Sequence, residues 1–179
     1  KQSGAEIKNY KSTFGSSGVH LERPVTKMIV DWVEEESVDE TIAVLLDTAG
    51  SGKTVIARDV LTELESKGIP VLTLKCDLLS GVASLDDLEK RLGLDGNVER
   101  VLKHLSRDGR TVLLVDQIDA LSLSLAQDLT TLDVVLKLVA RARTHPNVRV
   151  IIACREFDLK NDPKLSRMDV SKQFKIEQL

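Results

Sequence analysis

The sequence predicts an α/β fold, a three-layer sandwich with a central parallel five-stranded sheet between layers of helices. Two observations carry this. Five apolar runs rich in β-branched residues lie at 41–47, 69–77, 111–119, 148–155 and 173–179, and the first four lack clean alternation. That is the pattern of strands buried on both faces of a parallel sheet. Helical patterns at 53–67, 85–92, 97–107 and 123–144 separate them, and strand-helix alternation of this kind implies right-handed crossovers.

Taken in order, residues 1–20, "KQSGAEIKNYKSTFGSSGVH", are rich in Ser, Gly and Lys without apolar periodicity and read as a flexible lead-in. Residues 21–179 read as one domain. Pro24 near the start, then Val25, Met28, Ile29, Trp32 and Val33 at helical spacing, predict an amphipathic helix over 24–36 whose acidic end faces solvent. The stretch "LDDLEKRLGLDGNVERVLKHLSRDG" between the second and third strands reads as ordinary crossover helices.

Composition narrows the function classes. The 179 residues are 42% hydrophobic and 30% charged, the balance of a globular chain, and only 3% aromatic, so Leu, Val, Ile and Ala build the core. Net charge is −3 with scattered basic residues. No electrostatic footprint for nonspecific nucleic-acid binding results, and no direct nucleic-acid partner is expected. No run approaches the roughly 18 apolar residues of a membrane span, so no membrane partner is expected either. Cys76 and Cys154 sit in apolar strand-like runs and read as free buried thiols. A reducing, cytoplasmic setting fits. The first residue is Lys1 and the last, Leu179, falls in a strand-like run, the expectation being a fragment of a larger multidomain protein.

"LLDTAGSGKTVIARDVL" (45–61) passes from a strand-like run through small residues into a helical pattern. Gly52, Lys53 and Thr54 match the second half of the phosphate-loop pattern G-x-x-x-x-G-K-[ST], while Asp47 stands where its first glycine would be. Backbone N–H groups from about Ala49 to Thr54 would cradle phosphate at the positive end of the following helix. Lys53 supplies a mobile charge for β- and γ-phosphate oxygens, and the Thr54 hydroxyl suits Mg²⁺. The candidate nucleotide-binding stretch is Ala49, Gly50, Ser51, Gly52, Lys53, Thr54 and Val55. The structural alternative is a plain Gly-rich turn.

"TVLLVDQIDAL" ends a buried strand in Asp116. An acid there, at the carboxyl end of a strand beside the loop strand, can hold Mg²⁺, the Walker B arrangement. Asp116 and Thr54 are therefore the candidate metal ligands, the alternative for Asp116 being a cap on the strand exit or on a helix near 122. Asp119 is close enough to orient water, or else is a turn or helix-capping acid. Gln117 stands where many hydrolytic relatives of this loop carry a glutamate, and an amide cannot take a proton at neutral pH. In "VRVIIACREFD", Arg155 ends its strand at the edge where open α/β sheets bind ligands, and a guanidinium there can sense a γ-phosphate. Its alternative is a solvated arginine paired with a nearby acid. Lys53, Asp116, Asp119 and Arg155 are the candidate catalytic set.

Together "DTAGSGKT", "TVLLVDQIDAL" and "VRVIIACREFD" resemble the STAND-class P-loop NTPases, signalling ATPases akin to the NACHT and NB-ARC groups, over 21–179. The resemblance implies a P-loop NTPase fold with sheet order 5-1-4-3-2 and ATP/ADP as ligand with Mg²⁺. It also implies helical and winged-helix arms, effector or sensor domains in the same chain, and a homo-oligomer on activation. By position, Gly50, Gly52, Lys53 and Thr54 match its phosphate loop, Asp116 its Mg²⁺ aspartate, Asp119 its second acid and Arg155 its sensor arginine. Asp47, and Ala120 where many members carry an acid, depart from it. The expected function is a regulatory ATPase module with slow hydrolysis. The alternatives are a scaffold that binds without hydrolysing, an AAA+ mechanical ATPase, or a small-molecule kinase.

Overall fold

A computed structural model describes residues 13–14, 19–20, 23–36, 39–47, 52–94, 96–122 and 126–176. Five strands, β1 (Ile42–Asp47), β2 (Val71–Lys75), β3 (Thr111–Asp116), β4 (Val148–Arg155) and β5 (Lys172–Lys175), form one sheet. Every pairing is parallel, as the strand patterns predict, and the order is β5-β1-β4-β3-β2, as the STAND-class resemblance implies. One placement is corrected: β3 is not beside the loop strand β1, because β4 lies between them.

Both faces of the sheet are covered, which is why the strands read as continuous apolar runs. In β1, Ile42, Val44 and Leu46 point into one core and Ala43 and Leu45 into the other. The second core is closed by α1 (Pro24–Glu34) and α2 (Lys53–Ser66). The first is closed by α3 (Leu85–Arg91), α4 (Val98–Leu105), α5 (Asp119–Ser122), α6 (Ala126–Ala142) and α7 (Glu156–Asn161). Local signals set the helix ends. Pro24 opens α1, and the Ser84 and Asn97 side chains accept from backbone N–H groups at the starts of α3 and α4. Gly68, at φ 75°, ends α2 in a left-handed turn.

Three differences from the sequence expectation matter. The third strand stops at Asp116 rather than continuing to residue 119, and Asp119 instead begins α5. The 123–144 helical pattern corresponds to α6, beginning at Ala126. Within the lead-in, 13–14 pair antiparallel with 19–20, short-range pairing by Thr, Phe and Val, residues with high strand propensity. Cys76 and Cys154 are free and buried, and burial pushes both thiols up, Cys154 to about 12.

Candidate nucleotide site

The carboxyl ends of β1, β4 and β3 lie side by side, and each opens into a segment bearing a candidate residue. After β1, Gly52 takes φ 93°, a left-handed conformation natural to glycine, directly before α2. The Val55 N–H donates to the Gly52 carbonyl at 2.9 Å. The N–H groups of Lys53 and Thr54 are left without a partner inside the helix, at its positive end. Ala49, Gly50 and Ser51 lie outside the described residues, and so does the side chain of Asp47.

Asp116 is fully buried at the end of β3, and neither carboxylate oxygen has a hydrogen-bond partner among the described residues. Burial pushes its pKa up to about 6 from 3.8, opposed by the Thr54 hydroxyl and the charge of Lys75, and helped by Asp77 and Asp119. Thr54 and Asp116, predicted as a pair, are thus neighbours. A buried carboxylate lacking donors is stabilised by a cation or a proton.

Beside it, Asp119 is 4% exposed and its Oδ2 sits 3.1 Å from Nε of Arg155, whose side chain is 44% exposed. The alternative raised for Arg155, an arginine paired with a nearby acid, describes this geometry, with Asp119 as the acid. The same contact holds the guanidinium at the carboxyl edge of the sheet, where β4 ends. The second oxygen of Asp119 has no hydrogen-bond partner among the described residues.

The profile of the ATPase family associated with various cellular activities (AAA) matches residues 43–176, from within β1 to just past β5. The chain belongs to the AAA ATPase family. No curated protein matches the sequence. The fold is similar to that of AMPPCP-bound DnaA from Aquifex aeolicus, at 18% identity and TM-score 0.58, over 96% of this chain and 49% of that one. A Walker-type ATPase of Pyrococcus abyssi is similar at 14% identity and TM-score 0.64, over 97% of this chain and 58% of that one. A replication initiator DnaA bound to AMPPCP and single-stranded DNA is similar at 17% identity and TM-score 0.59, over 97% and 50%. At these identities the likeness shows the fold alone, and the chain spans about half the length of these structures.

In this AAA ATPase two charged residues at the site escaped the sequence reading. Asp158, on α7, is 5% exposed. Its carboxyl is raised by burial and by Asp119, and lowered by Arg155 and Lys53, so all four share one electrostatic neighbourhood. The only sequence signal was an acid three residues beyond the strand end in "CREFD". Lys75 ends β2 in register with Asp116 and pairs with Asp77 at 2.7 Å. Its signal was a cation at a strand's carboxyl end.

The residues fit a hard cation only in part. Among the described residues no group of three His, Cys, Asp or Glu side chains could hold a metal by itself. One hydroxyl and one buried carboxylate suit an ion that keeps waters and takes its remaining ligands from substrate phosphates. Among the described residues, no helix is long and apolar enough to cross a membrane.

Proposed function

We propose that this chain is the ATP/ADP-binding core of a regulatory switch of the STAND class, with residues 21–179 acting as one nucleotide-binding unit. The observation that carries the reading is the buried, partnerless Asp116 carboxylate beside Thr54, at the sheet edge that also presents Lys53 and Arg155. In this reading Gly52, Lys53, Thr54 and the loop residues Ala49, Gly50 and Ser51 bind the phosphate chain. Thr54 and Asp116 would hold Mg²⁺, which would supply neutralisation of charge at the phosphates. Lys53 and Arg155 stabilise the γ-phosphate during in-line attack by water oriented by Asp119. The AMPPCP in the DnaA neighbours, an ATP analogue, supports the choice of ligand.

Turnover is slow in this proposal, because Gln117 supplies no base. A switch requires only that ATP and ADP favour different arrangements of the covering domains. Phe157, 71% exposed on α7 two residues after Arg155, supports a partner surface over this edge. Helical and winged-helix arms of the same protein, or a second copy on activation, are the proposed covers. A second reading, a scaffold that binds nucleotide without hydrolysis, is favoured by the amide at 117. A mechanical ATPase of the AAA+ kind is the third, favoured by the family match.

The test is thermal unfolding with Mg²⁺ and ATP, ADP or GTP, beside Lys53→Ala. Nucleotide at a hundred times its Kd should add about 2.7 kcal/mol, raising Tm by roughly 5–10 °C. Lys53→Ala should remove that shift while its unliganded Tm stays near the parent's. Undiminished nucleotide stabilisation in the variant would overturn the assignment, and phosphate release separates switch from scaffold.

A further inference from the structure

A groove at the amino edge of the sheet lies opposite the nucleotide edge. One wall is formed by side chains of α4 and the turn after it, the other by the turn between α6 and β4. The walls are fixed to each other and to the sheet. Asn147 Nδ2 donates to the Ser106 carbonyl at 3.0 Å, the Thr111 N–H to the Asn147 carbonyl at 3.0 Å, and the Val148 N–H to the His145 carbonyl at 3.0 Å. The space between them measures about 570 Å³, a size that suits a small molecule.

Its charge is one-sided. Arg100, Lys103 and Arg107 line it, three and four residues apart on one side of α4 and the turn that continues it, and no acid lines it. Among the described residues none of these three side chains has a hydrogen bond or an ion pair, whereas Glu99, next to Arg100, turns to Arg141. Like charges at such spacing repel and weaken a helix. The dipole of α4 accounts for cations at its carboxyl end but not for Arg100, which sits in the first turn, where a cation is disfavoured. In the opposite wall Nε2 of His145 is buried without a hydrogen-bond partner among the described residues, one of the marks of a site completed by an ion.

We propose that this groove binds a small anion bearing two or more linked phosphate groups, held by Arg100, Lys103 and Arg107. The separation of Arg100 and Arg107 corresponds to about 10 Å along a helix, so a chain of phosphates, rather than a single one, meets all three cations. Guanidinium groups match phosphate with a fork of two N–H donors, and lysine adds a point charge. The patch is also bounded. Neighbouring cations are already committed, Arg110 to the Pro146 and Glu35 carbonyls, Arg141 to Glu99 and Arg143 to Asp169. A nucleic-acid backbone would require a longer basic track. Because the walls are tied in place, binding orders little of the protein, and the ligand relieves the mutual repulsion of the three charges.

The experiment is calorimetric titration of sodium tripolyphosphate, in EDTA, into the Lys53→Ala variant, so that the phosphate loop does not compete. Two further proteins share that background. One carries Arg100→Gln, Lys103→Gln and Arg107→Gln; the other carries Lys90→Gln, Lys137→Gln and Lys172→Gln, removing equal charge elsewhere. All six side chains are exposed, so both should keep the unliganded Tm of the background. One site per chain is expected, its affinity falling about tenfold or more in the groove variant, the loss when even one charge-assisted hydrogen bond disappears, and little in the control. Citrate and a single-stranded oligonucleotide should bind more weakly than tripolyphosphate. Absence of tripolyphosphate binding overturns the inference, as does undiminished affinity in the groove variant or an equal loss in the control, which would show diffuse attraction. Citrate binding as tightly would overturn the phosphate preference, and tighter oligonucleotide binding lost in the groove variant would replace the small ligand with a nucleic acid.

Discussion

Asp116 shows how one buried group couples stability to ligand. Its carboxyl titrates near 6 in the fold against an ordinary 3.8, chiefly through burial. The native state therefore binds this proton more tightly than the unfolded chain does. Its contribution is most favourable below pH 4, declines as pH rises from about 4 to 6, and is fully unfavourable above, by roughly 3 kcal/mol. Asp116→Asn should then raise the urea midpoint at pH 7.5 without Mg²⁺ and leave it unchanged near pH 4. A variant less stable than the parent at pH 7.5 would mean the carboxylate is better solvated than its burial indicates. Asp158, raised by burial and by Asp119, behaves in the same direction, and Asp158→Asn should stabilise the unliganded protein at pH 7.5. Because Asp158 also feels Lys53 and Arg155, the same variant should alter nucleotide affinity in the calorimeter, which a purely structural acid would not. Of these groups Asp116 was legible in the sequence because it directly ends an apolar, strand-like run. Asp158 was not, because nothing local distinguishes an acid aimed inward from one in solvent.

Among the elements, the edge strand β5 depends on few side chains. Only Phe174 is buried within it, with Ile176 just beyond. The Phe174 ring meets Trp32 of α1 edge to face, centroids 6.2 Å apart at 70°. Trp32 in turn donates to Glu40 at 3.0 Å and lies under the guanidinium of Arg149, 5.5 Å from its centroid. Arg149 and Arg110 both donate to the Glu35 carbonyl at the end of α1. Through this cluster α1, the start of β4 and β5 are tied together. Phe174→Ala should cost about 3–5 kcal/mol, read as a fall in the urea midpoint at constant slope, with β5 amides losing hydrogen-exchange protection first. The cap of α4 is a smaller device. Asn97 Oδ1 accepts from Glu99 and Arg100 N–H groups at 2.8 and 3.4 Å, and Asn97→Ala should cost about 1 kcal/mol. At the other end of α4, Lys103 and Arg107 line a groove with His104 and His145 where α4 and α6 both terminate. Those cations complement the negative ends of the two helices.

For the whole molecule, one sheet serves two cores. Leu113 and Val115 of β3 belong to one and Val112 and Leu114 to the other, so neither core persists once the sheet separates. Unfolding should be a single transition. Trp32, the only tryptophan, reports on the core under α1 and α2, and its fluorescence should change at the same urea concentration as far-UV circular dichroism. Separate midpoints would show that the layer of α3 to α7 comes apart independently.

The sequence by itself determined what local chemistry determines. Continuous apolar runs mark strands buried on both faces, helical periodicity marks their covers, and the Gly52-Lys53-Thr54 sequence between strand and helix marks the candidate phosphate-binding turn. The aspartate at the end of β3 could be named because its chemistry and its strand are adjacent in the chain. What only the tertiary structure decided is which ends meet. It turned Asp119 into the buried partner of Arg155, drew Asp158 into the same field, and brought Gln117 to Thr54 across 63 positions of sequence. The physical reason is range. Periodicity and turn chemistry act over a few residues, whereas strand order and side-chain convergence arise from packing between segments far apart in the chain.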